Sequence, residues 1–373
     1  MKILLVTDLY PLENEKIAKA LYYFVQEWQK QGHYVEVVRA NFIINTLVRG
    51  RKIKKENIYY EDGTKIYNLN FHTPFWFDVY KKLPKDFSLK NYDVIISHLP
   101  CGALMANKLL KKDSIKYICA VHFSDIVVLK SFLYVPFRNK LKKVYKKADK
   151  IAARSYVLQK KIEEIIPETH NKTFVAYSGI DKDYISDSIK NTFNREEVQI
   201  STVASLIKRK NIDVIINAIA NINYKIHLTI IGDGPERKRL EKLTQKLNIS
   251  DKVTFLGCIA REKVISKLKE SDIFILLSRN ETFGISYLEA MATGNIVIAK
   301  KEDGIDGIIQ NNKNGFLINS ELGELKSCIE NIIKMSDEKI EIIRQKSLDT
   351  VKRLTINDAA GNYINNIVNN ENI

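Results

Sequence analysis

Short apolar runs alternate along the chain with longer segments in which apolar residues recur every three or four positions. The first run, KILLVT at residues 2–7, is typical of a buried strand, and the periodic segment AKALYYFVQEWQKQG after it predicts a helix that stops at Gly32. Strands that alternate with helices predict a parallel sheet with right-handed crossovers. The further runs of this first series are YVEVVRA, DVIISHL, YICAVH, KIAARS and FVAYSGID.

The same alternation repeats in the second half of the chain, where the apolar runs are QISTVASL, HLTIIGDG, VTFLG, DIFILLS and NIVIAK. We therefore predict an α/β protein of two doubly wound, Rossmann-like domains that face each other across a cleft. The domains are residues 1–181 and 197–355, the polar segment 182–196 links them, and residues 356–373 form a helix that packs back on the first domain. Because ligands of such sheets bind beyond the carboxyl ends of the strands, the chemistry is expected in the loops there.

Length and composition fit this two-domain interpretation. A chain of 373 residues exceeds one ordinary core, and 45% hydrophobic with 28% charged residues is typical of a soluble globular protein. The four cysteines form no CxxC or Cys/His cluster, which argues against a disulfide framework or structural zinc and favours the cytoplasm. The N-terminal apolar run is too short for a signal peptide, and no stretch approaches the ~20 apolar residues of a membrane span.

The net charge of +15 lies almost entirely in the first half of the chain. Residues 1–180 hold 31 Lys and Arg against 17 Asp and Glu, whereas residues 181–373 hold 28 against 27. This asymmetry points to a polyanionic partner, either nucleic acid or an anionic membrane surface. Two basic segments with apolar neighbours, VRGRKIKK at 48–55 and FLYVPFRNKLKKVYKKADK at 132–150, favour the membrane, although the second could be an ordinary helix with its apolar face in the core.

Two strand-end loops in the second half suit a diphosphate. The segment VASLIKRKN places Ser205, Arg209 and Lys210 just beyond a strand, where cations favour phosphate oxygens. In IIGDGPERKRLEKL, Gly232 and Gly234 permit a tight turn before a helix whose free amides suit phosphate. Each loop alone could equally be a solvated turn.

The segment ETFGISYLEAMATG carries Glu281 and Glu289, eight residues apart. Gly284 opens a helix whose first amides could face a phosphate, while Glu281 could face sugar hydroxyls and Glu289 could accept from a ribose. Paired carboxylates could also be the acid and base of a hydrolase, or a capping acid and an exposed helix residue.

In the first half, His122 and His98 each end a predicted strand, and Asp125 follows three residues after His122. A histidine there can contact a ligand or be structural. The pair Asp181 and Asp183 has the D-x-D form of some metal sites, but helix capping explains it better and no metal is assigned.

In this order, the motifs resemble the retaining family-four glycosyltransferases of the GT-B fold, whose E-x7-E signature matches Glu281 and Glu289. The resemblance implies that Glu281 contacts the donor sugar, Glu289 the ribose and Lys210 a phosphate. It further implies that amides after the Phe283–Gly284 pair, including that of Ile285, hold the diphosphate, that Cys258 and Ile259 meet the base, and that His122 lies near the sugar. It also implies retention of configuration by front-face attack, without a metal.

Two departures from the family pattern concern the donor. The family often has G-R-L where this chain has Ala204-Ser205-Leu206, so the usual phosphate arginine is missing. The first loop, YPLENEKIAK at 10–19, lacks the usual glycine pair.

The sequence therefore predicts a cytoplasmic glycosyltransferase, peripheral on the inner face of the membrane. It would transfer a sugar from a UDP- or GDP-linked donor to a lipid-linked glycan in capsule, exopolysaccharide or lipopolysaccharide synthesis, with no cofactor. A soluble enzyme acting on a free sugar or small metabolite is the alternative within this fold. A nucleic-acid-binding protein, which would need a reading motif, and a non-catalytic scaffold are the alternatives of another class.

Overall fold

A computed structural model describes residues 1–10, 19–42, 56–71, 82–110, 115–132, 135–189 and 193–369. The contacts between residues divide the chain into two compact units, of which one comprises residues 1–177 with 359–373 and the other residues 178–358. The segment 182–196 thus belongs to the second unit, and the predicted first loop and the basic run at 48–55 lie largely outside the described residues.

The first unit is built on a sheet that has eight strands among the described residues, in the order β3-β4-β2-β1-β5-β6-β7-β8. All neighbours are parallel except β3 and β4. The central strands are buried because helices cover both faces of the sheet. The strands are β1 (Lys2–Thr7), β2 (Tyr34–Phe42), β3 (Ile58–Glu61), β4 (Thr64–Phe71), β5 (Val94–His98), β6 (Lys116–Val121), β7 (Lys150–Ala153) and β8 (Thr173–Val175).

The helices of the first unit follow the strands along the chain. The last of them belongs to the C-terminal segment and packs on this unit, where the Trp28 indole donates to the Ala360 carbonyl at 3.2 Å. The helices are α1 (Lys19–Lys30), α2 (Leu99–Leu109), α3 (Phe123–Lys130), α4 (Val135–Lys147), α5 (Tyr156–Ile165) and α12 (Ile356–Val368).

The antiparallel hairpin of β3 and β4 was not predicted. Its two-residue turn is Asp62–Gly63, and both residues have positive φ, of 43° and 77°. An Asp-Gly pair between alternating strands favours this turn because its backbone twist matches that of the strands. The segment YYEDGTKIY therefore contained a local signal for this hairpin, which the sequence analysis did not use.

The second unit has a parallel sheet, with six strands among the described residues, in the order β11-β10-β9-β12-β13-β14. The prediction of two parallel, Rossmann-like sheets is thus confirmed. The strands are β9 (Val198–Val203), β10 (Ile226–Ile231), β11 (Val253–Gly257), β12 (Ile273–Leu276), β13 (Ile296–Lys300) and β14 (Phe316–Ile318). The helices are α6 (Ile212–Ala220), α7 (Arg237–Lys246), α8 (Arg261–Glu270), α9 (Ile285–Ala292), α10 (Leu322–Ile333) and α11 (Asp337–Val351).

The basic segment at 132–150 forms α4, and most of its apolar face lies in the protein core. Leu141, Val144 and Tyr145 are at most 1% exposed, so these three side chains are not available to a membrane. Two apolar residues at the start of the segment remain on the surface, because Phe132 is 87% and Val135 40% exposed. In the described part of the chain, no helix has the length and hydropathy needed to cross a bilayer.

Candidate functional site

The strand order of the second unit determines where its loops meet. Strand β9 lies between β10 and β12, so the chain passes to one side of β9 and later returns to the other. The carboxyl ends at such a reversal form the usual ligand site of an open α/β sheet. The loops after β9 and β12 are joined there by two hydrogen bonds of 2.7 Å, from the Arg279 amide to the Arg209 carbonyl and from the Asn211 side chain to the Leu277 carbonyl.

Lys210 and Glu281 form an ion pair at this position. The Lys210 ammonium donates to Glu281 Oε2, and Arg209 approaches the same oxygen at 3.4 Å. The Lys210 side chain is 10% and that of Glu281 16% exposed, so the ion pair is mostly buried but still reaches the protein surface. Burial raises the pKa of Glu281, but the two cations outweigh burial and hold that pKa below its usual value. The site is therefore a carboxylate with two cations around it.

Gly284 begins α9 immediately after this carboxylate. Its φ is 92°, and a Cβ would lie 2.5 Å from the ring of Tyr287, so only glycine fits without strain. Tyr287 is fixed in turn, since its hydroxyl donates to the Leu276 carbonyl at 2.7 Å. Phe283 is buried, and the amides of Ile285 and Ser286 come before the first hydrogen bond of the helix start, which the Tyr287 amide donates to the Gly284 carbonyl at 3.1 Å.

Glu289 lies one turn further along α9 and is 0% exposed. The Arg261 guanidinium, at the first position of α8, lies against its Oε1. Oε2 accepts no hydrogen bond from the part of the chain that the structure describes. An unpaired carboxylate oxygen can accept from a hydroxyl, but both Glu289 oxygens are covered by protein in this structure, so a ligand reaches them only if neighbouring side chains move.

Gly232 and Gly234 bring the loop after β10 against the loop after β9. A Cβ added at Gly232 would lie 1.9 Å from the Ala204 carbonyl oxygen. A Cβ added at Gly234 would lie 2.5 Å from the Leu206 carbonyl oxygen. The Leu206 amide also donates to the Asp233 carbonyl at 2.9 Å. These glycines permit loop-to-loop packing, and Ser205 lies exposed on the packed loop.

The turn after β11 reaches the surface of the same unit. The Gly232 amide donates to the Gly257 carbonyl at 2.9 Å, which joins the ends of β10 and β11. Cys258 follows as an exposed residue and Ile259 is half-buried. The predicted residues of the second unit thus lie in loops or helix starts after strands, except Glu289, which is buried one turn along α9.

In the first unit, His98 and His122 come together. His98 ends β5 and His122 follows β6, and His98 Nδ1 lies 2.9 Å from His122 Nε2. Tyr363 of α12 places its hydroxyl 3.5 Å from the other ring nitrogen of His98. Leu99, directly after His98, has a φ of 69°, which a bulky residue rarely adopts.

Burial keeps both imidazoles neutral. It lowers the pKa of His122 to about 3, and the nearby Arg154 lowers it further. Burial also lowers the pKa of His98 well below its usual value, with smaller effects of His122 and Arg154. The two neutral rings are therefore joined by one hydrogen bond, in which one ring nitrogen donates and the other accepts.

Asp125 lies behind His122 and does not face the solvent. It is 0% exposed and accepts from the His122 amide at 2.9 Å and from the Tyr145 hydroxyl at 2.7 Å. Burial raises its pKa to about 7. Asp125 thus holds the backbone of His122 in place. Asp181 likewise accepts from the Asp183 amide at 3.1 Å and caps a short 3-10 turn.

The sequence analysis missed four residues that shape these sites: Asp303, Arg261, Arg154 and Tyr363. Asp303 and Arg154 each follow a strand, so the strand-end rule could have indicated both. Arg261 follows the loop after β11. Tyr363 gave no local signal, because its place beside His98 comes from the docking of α12.

Two family models match the chain in sequence. The model "Glycosyltransferase Family 4" matches residues 17–184, and the model "Glycosyl transferases group 1" matches residues 184–348. Together the two models span most of the chain and both of its units.

Several curated proteins are similar in sequence. An uncharacterised glycosyltransferase of Methanocaldococcus jannaschii is 29% identical over 60% of this chain and 60% of its own length. The N-acetyl-alpha-D-glucosaminyl L-malate synthase of Bacillus anthracis is 26% identical over 78% of this chain and 76% of its own. The alpha-monoglucosyldiacylglycerol synthase of Streptococcus pneumoniae is 30% identical over 40% of this chain and 35% of its own. The chain thus spans less than two thirds of the first and third relatives.

Solved structures share the fold over nearly the whole chain. Anabaena Alr3699/HepE in complex with UDP superposes with a TM-score of 0.76 at 18% identity and 98% coverage of both chains. The lipopolysaccharide outer core galactosyltransferase WaaB, in its apo form, gives 0.73 at 18% identity, covering 98% of this chain and 99% of its own.

Proposed function

The chain belongs to the glycosyltransferases of group 1 and family 4, and from that premise we propose that it is a retaining, metal-independent enzyme that moves a sugar from a nucleotide-sugar donor to an acceptor hydroxyl. The observation that carries the proposal is the cluster of Lys210, Arg209 and Glu281 beside the start of α9. Cations and helix amides suit a diphosphate, and an adjacent carboxylate suits sugar hydroxyls.

In this proposal the second unit binds the donor. Lys210, Arg209 and the amides of Gly284 and Ile285 bind the diphosphate, while Glu281 accepts from the sugar. Glu289 accepts from the ribose through Oε2, which is buried and has no hydrogen-bond donor among the described residues. Arg209 shares Glu281 with Lys210, which places a second cation in the site although Ser205 stands where the family often has arginine.

The reaction needs no protein nucleophile. The acceptor oxygen attacks the anomeric carbon from the face that the diphosphate leaves, the bond from that carbon to the phosphate oxygen breaks, and the hydroxyl proton passes to the departing phosphate. Lys210 and the α9 amides stabilise the negative charge that develops on the diphosphate. His122 serves as a neutral hydrogen-bonding group for the sugar, because burial disfavours its charged form.

We propose further that the acceptor is lipid-linked and that the first unit meets an anionic membrane from the cytoplasm. The exposed apolar side chains Phe132 and Val135 lie at the start of the segment that carries the lysines of α4, and Val127 is exposed on the preceding helix α3. Apolar side chains flanked by lysine suit the interface of an anionic bilayer. The relatives named for a diacylglycerol product and for lipopolysaccharide support this choice.

A small soluble acceptor is the second candidate, favoured by the relative that is named for L-malate. Flotation with anionic liposomes at low salt separates the two, with Phe132→Ser as the test variant and Tyr156→Ser, exposed on the next helix, as the control. Binding that Phe132→Ser weakens supports the lipid-linked acceptor. Absence of binding favours the soluble one.

The donor proposal is tested by a thermal-shift panel of nucleoside diphosphates and nucleotide sugars. A ligand at 100 times its Kd stabilises the folded state by about 2.7 kcal/mol, which is readily detected. Stabilisation by a nucleotide sugar, followed by transfer from it, supports the proposal. No response to any uridine or guanosine donor contradicts it.

A further inference from the structure

Asp303 touches the loop that carries Glu281, although it comes from a different part of the chain. It lies in the turn after β13 and is 5% exposed. Its Oδ2 accepts from the Asn280 amide at 2.7 Å, and its Oδ1 accepts from the Glu281 amide at 2.6 Å and from the Gly304 amide at 2.9 Å. One side chain thus binds the backbone of Glu281 and of the residue before it.

The neighbouring glycine fixes the same loop by packing. A Cβ at Gly304 would lie 2.8 Å from the backbone of Phe283 and 2.9 Å from the Glu281 carbonyl oxygen, so two backbone segments are in direct contact. Asn280 has a φ of 65°, a left-handed conformation that the hydrogen bond from its amide to Asp303 helps to hold. The loop from Asn280 to Phe283 is therefore held from one side by Asp303 and Gly304.

We propose that Asp303 is a positioning residue for the transfer reaction, which fixes the Glu281 backbone so that its carboxylate meets the donor sugar. This inference rests on the proposed function. Asp303 itself does not contact the donor, because its two oxygens are already engaged by amides. Burial raises the pKa of Asp303 by more than the hydrogen bonds from the three amides lower it.

The test compares Asp303→Asn and Asp303→Ala with Asp306→Asn and Asp306→Ala. Asp306 is the matched control, since it lies in the same turn and its side chain accepts from the Glu302 amide at 2.7 Å, whereas among the described residues that side chain forms no hydrogen bond or ion pair with the Glu281 loop. Asparagine can keep the bonds to Glu281 and Gly304 while losing that to Asn280, so its effect should be the smaller. If Asp303→Ala fails to fold, the milder Asp303→Asn variant still tests the inference.

The Asp303 variants should lose sugar transfer while keeping their affinity for the nucleotide. A loop displaced by about 1 Å should reduce kcat about tenfold to a hundredfold, whereas the Kd of the nucleoside diphosphate, which lacks the sugar, should stay within about threefold. Hydrogen exchange of the Asn280 and Glu281 amides should become faster in the Asp303 variants and stay unchanged in the Asp306 variants. Parent-like kcat and exchange in the Asp303 variants overturn the inference, as does an equal loss in the control. An unaltered chain without transfer overturns the proposed function itself.

Discussion

Lys210 and Glu281 are 71 positions apart in the chain, yet the ammonium of one donates to the carboxylate of the other. They meet because β9 and β12 are neighbours in the sheet, so the loops after both strands end at the same edge. In the proposed function, Lys210 binds the donor phosphate from this position, where the loop after β9 already holds its ammonium at the edge of the sheet.

The three consecutive cations after β9 predict a graded effect on nucleotide binding. Lys210 is buried beside Glu281, Arg209 approaches the same carboxylate, and Lys208 is exposed on the same turn. Lys210→Ala should raise the Kd of the nucleoside diphosphate about tenfold to a hundredfold, since a charge-assisted hydrogen bond contributes about 1.5–3 kcal/mol. Arg209→Ala should have a smaller effect and Lys208→Ala almost none, as measured by calorimetric titration. Equal effects at the three positions would contradict this assignment.

Glu281→Gln should separate sugar transfer from nucleotide binding. The amide keeps the shape but loses the charge, so kcat/KM for the nucleotide sugar should fall about a hundredfold or more. The nucleoside diphosphate should bind as well as before or more tightly, because a negative charge near its phosphates is removed. Glu270→Gln, an exposed member of an ion pair with Lys267, serves as the control. Parallel loss of both properties would argue against contact with the sugar.

Two glycine substitutions should change stability in opposite directions. Gly284→Ala places a Cβ 2.5 Å from the Tyr287 ring at a φ of 92°, so it should destabilise the protein by about 1–3 kcal/mol. Gly323→Ala lies in α10 with open space around it and should stabilise by about 0.5–1 kcal/mol. Urea unfolding measures both, and a neutral Gly284→Ala would remove the argument for strain at this helix start.

The buried His98 predicts a specific dependence of stability on pH. Because its folded pKa is depressed, the unfolded chain binds more protons below the ordinary pKa of about 6.5, and the folded state loses stability as the pH falls. The difference in unfolding free energy between the parent and His98→Asn should therefore shrink by up to about 1.4 kcal/mol per pH unit below that point. Asp125, whose pKa is raised, acts with the opposite sign in both proteins and cancels in the difference.

Urea unfolding of both proteins at about pH 7.5 and about pH 5.5 checks this dependence. A difference that stays constant would mean that folding does not lower the pKa of His98.

The period of the apolar runs and the strand-end rule predicted that Lys210 and Glu281 lie in loops after strands, which is where the structure has them; their roles with a ligand stay predictions. Glu281 and Lys210 were found because each follows an apolar run, and parallel strands bring such positions together without any long-range information. Asp303 was missed although it follows NIVIAK, since an acid in a glycine-rich turn is also typical of an ordinary loop. What distinguishes it is three amides from two segments, which only the folded backbone reveals.

The first unit was harder to predict for a different physical reason. The apolar face of α4 fits both a core and a membrane, and the choice depends on which helices cover the sheet. Similarly, Tyr363 reaches His98 through a helix that is 265 positions away in the chain. Local patterns specify elements, whereas such contacts depend on how the elements dock.

The structure of the protein with a bound nucleotide sugar is the most direct test of the central claim. The account predicts the diphosphate within hydrogen-bonding distance of the Lys210 ammonium and the Ile285 amide, with Glu281 on the sugar and Glu289 on the ribose. A nucleoside bound away from the loops after β9 and β12, or a sugar that leaves Glu281 paired only with Lys210, would contradict it.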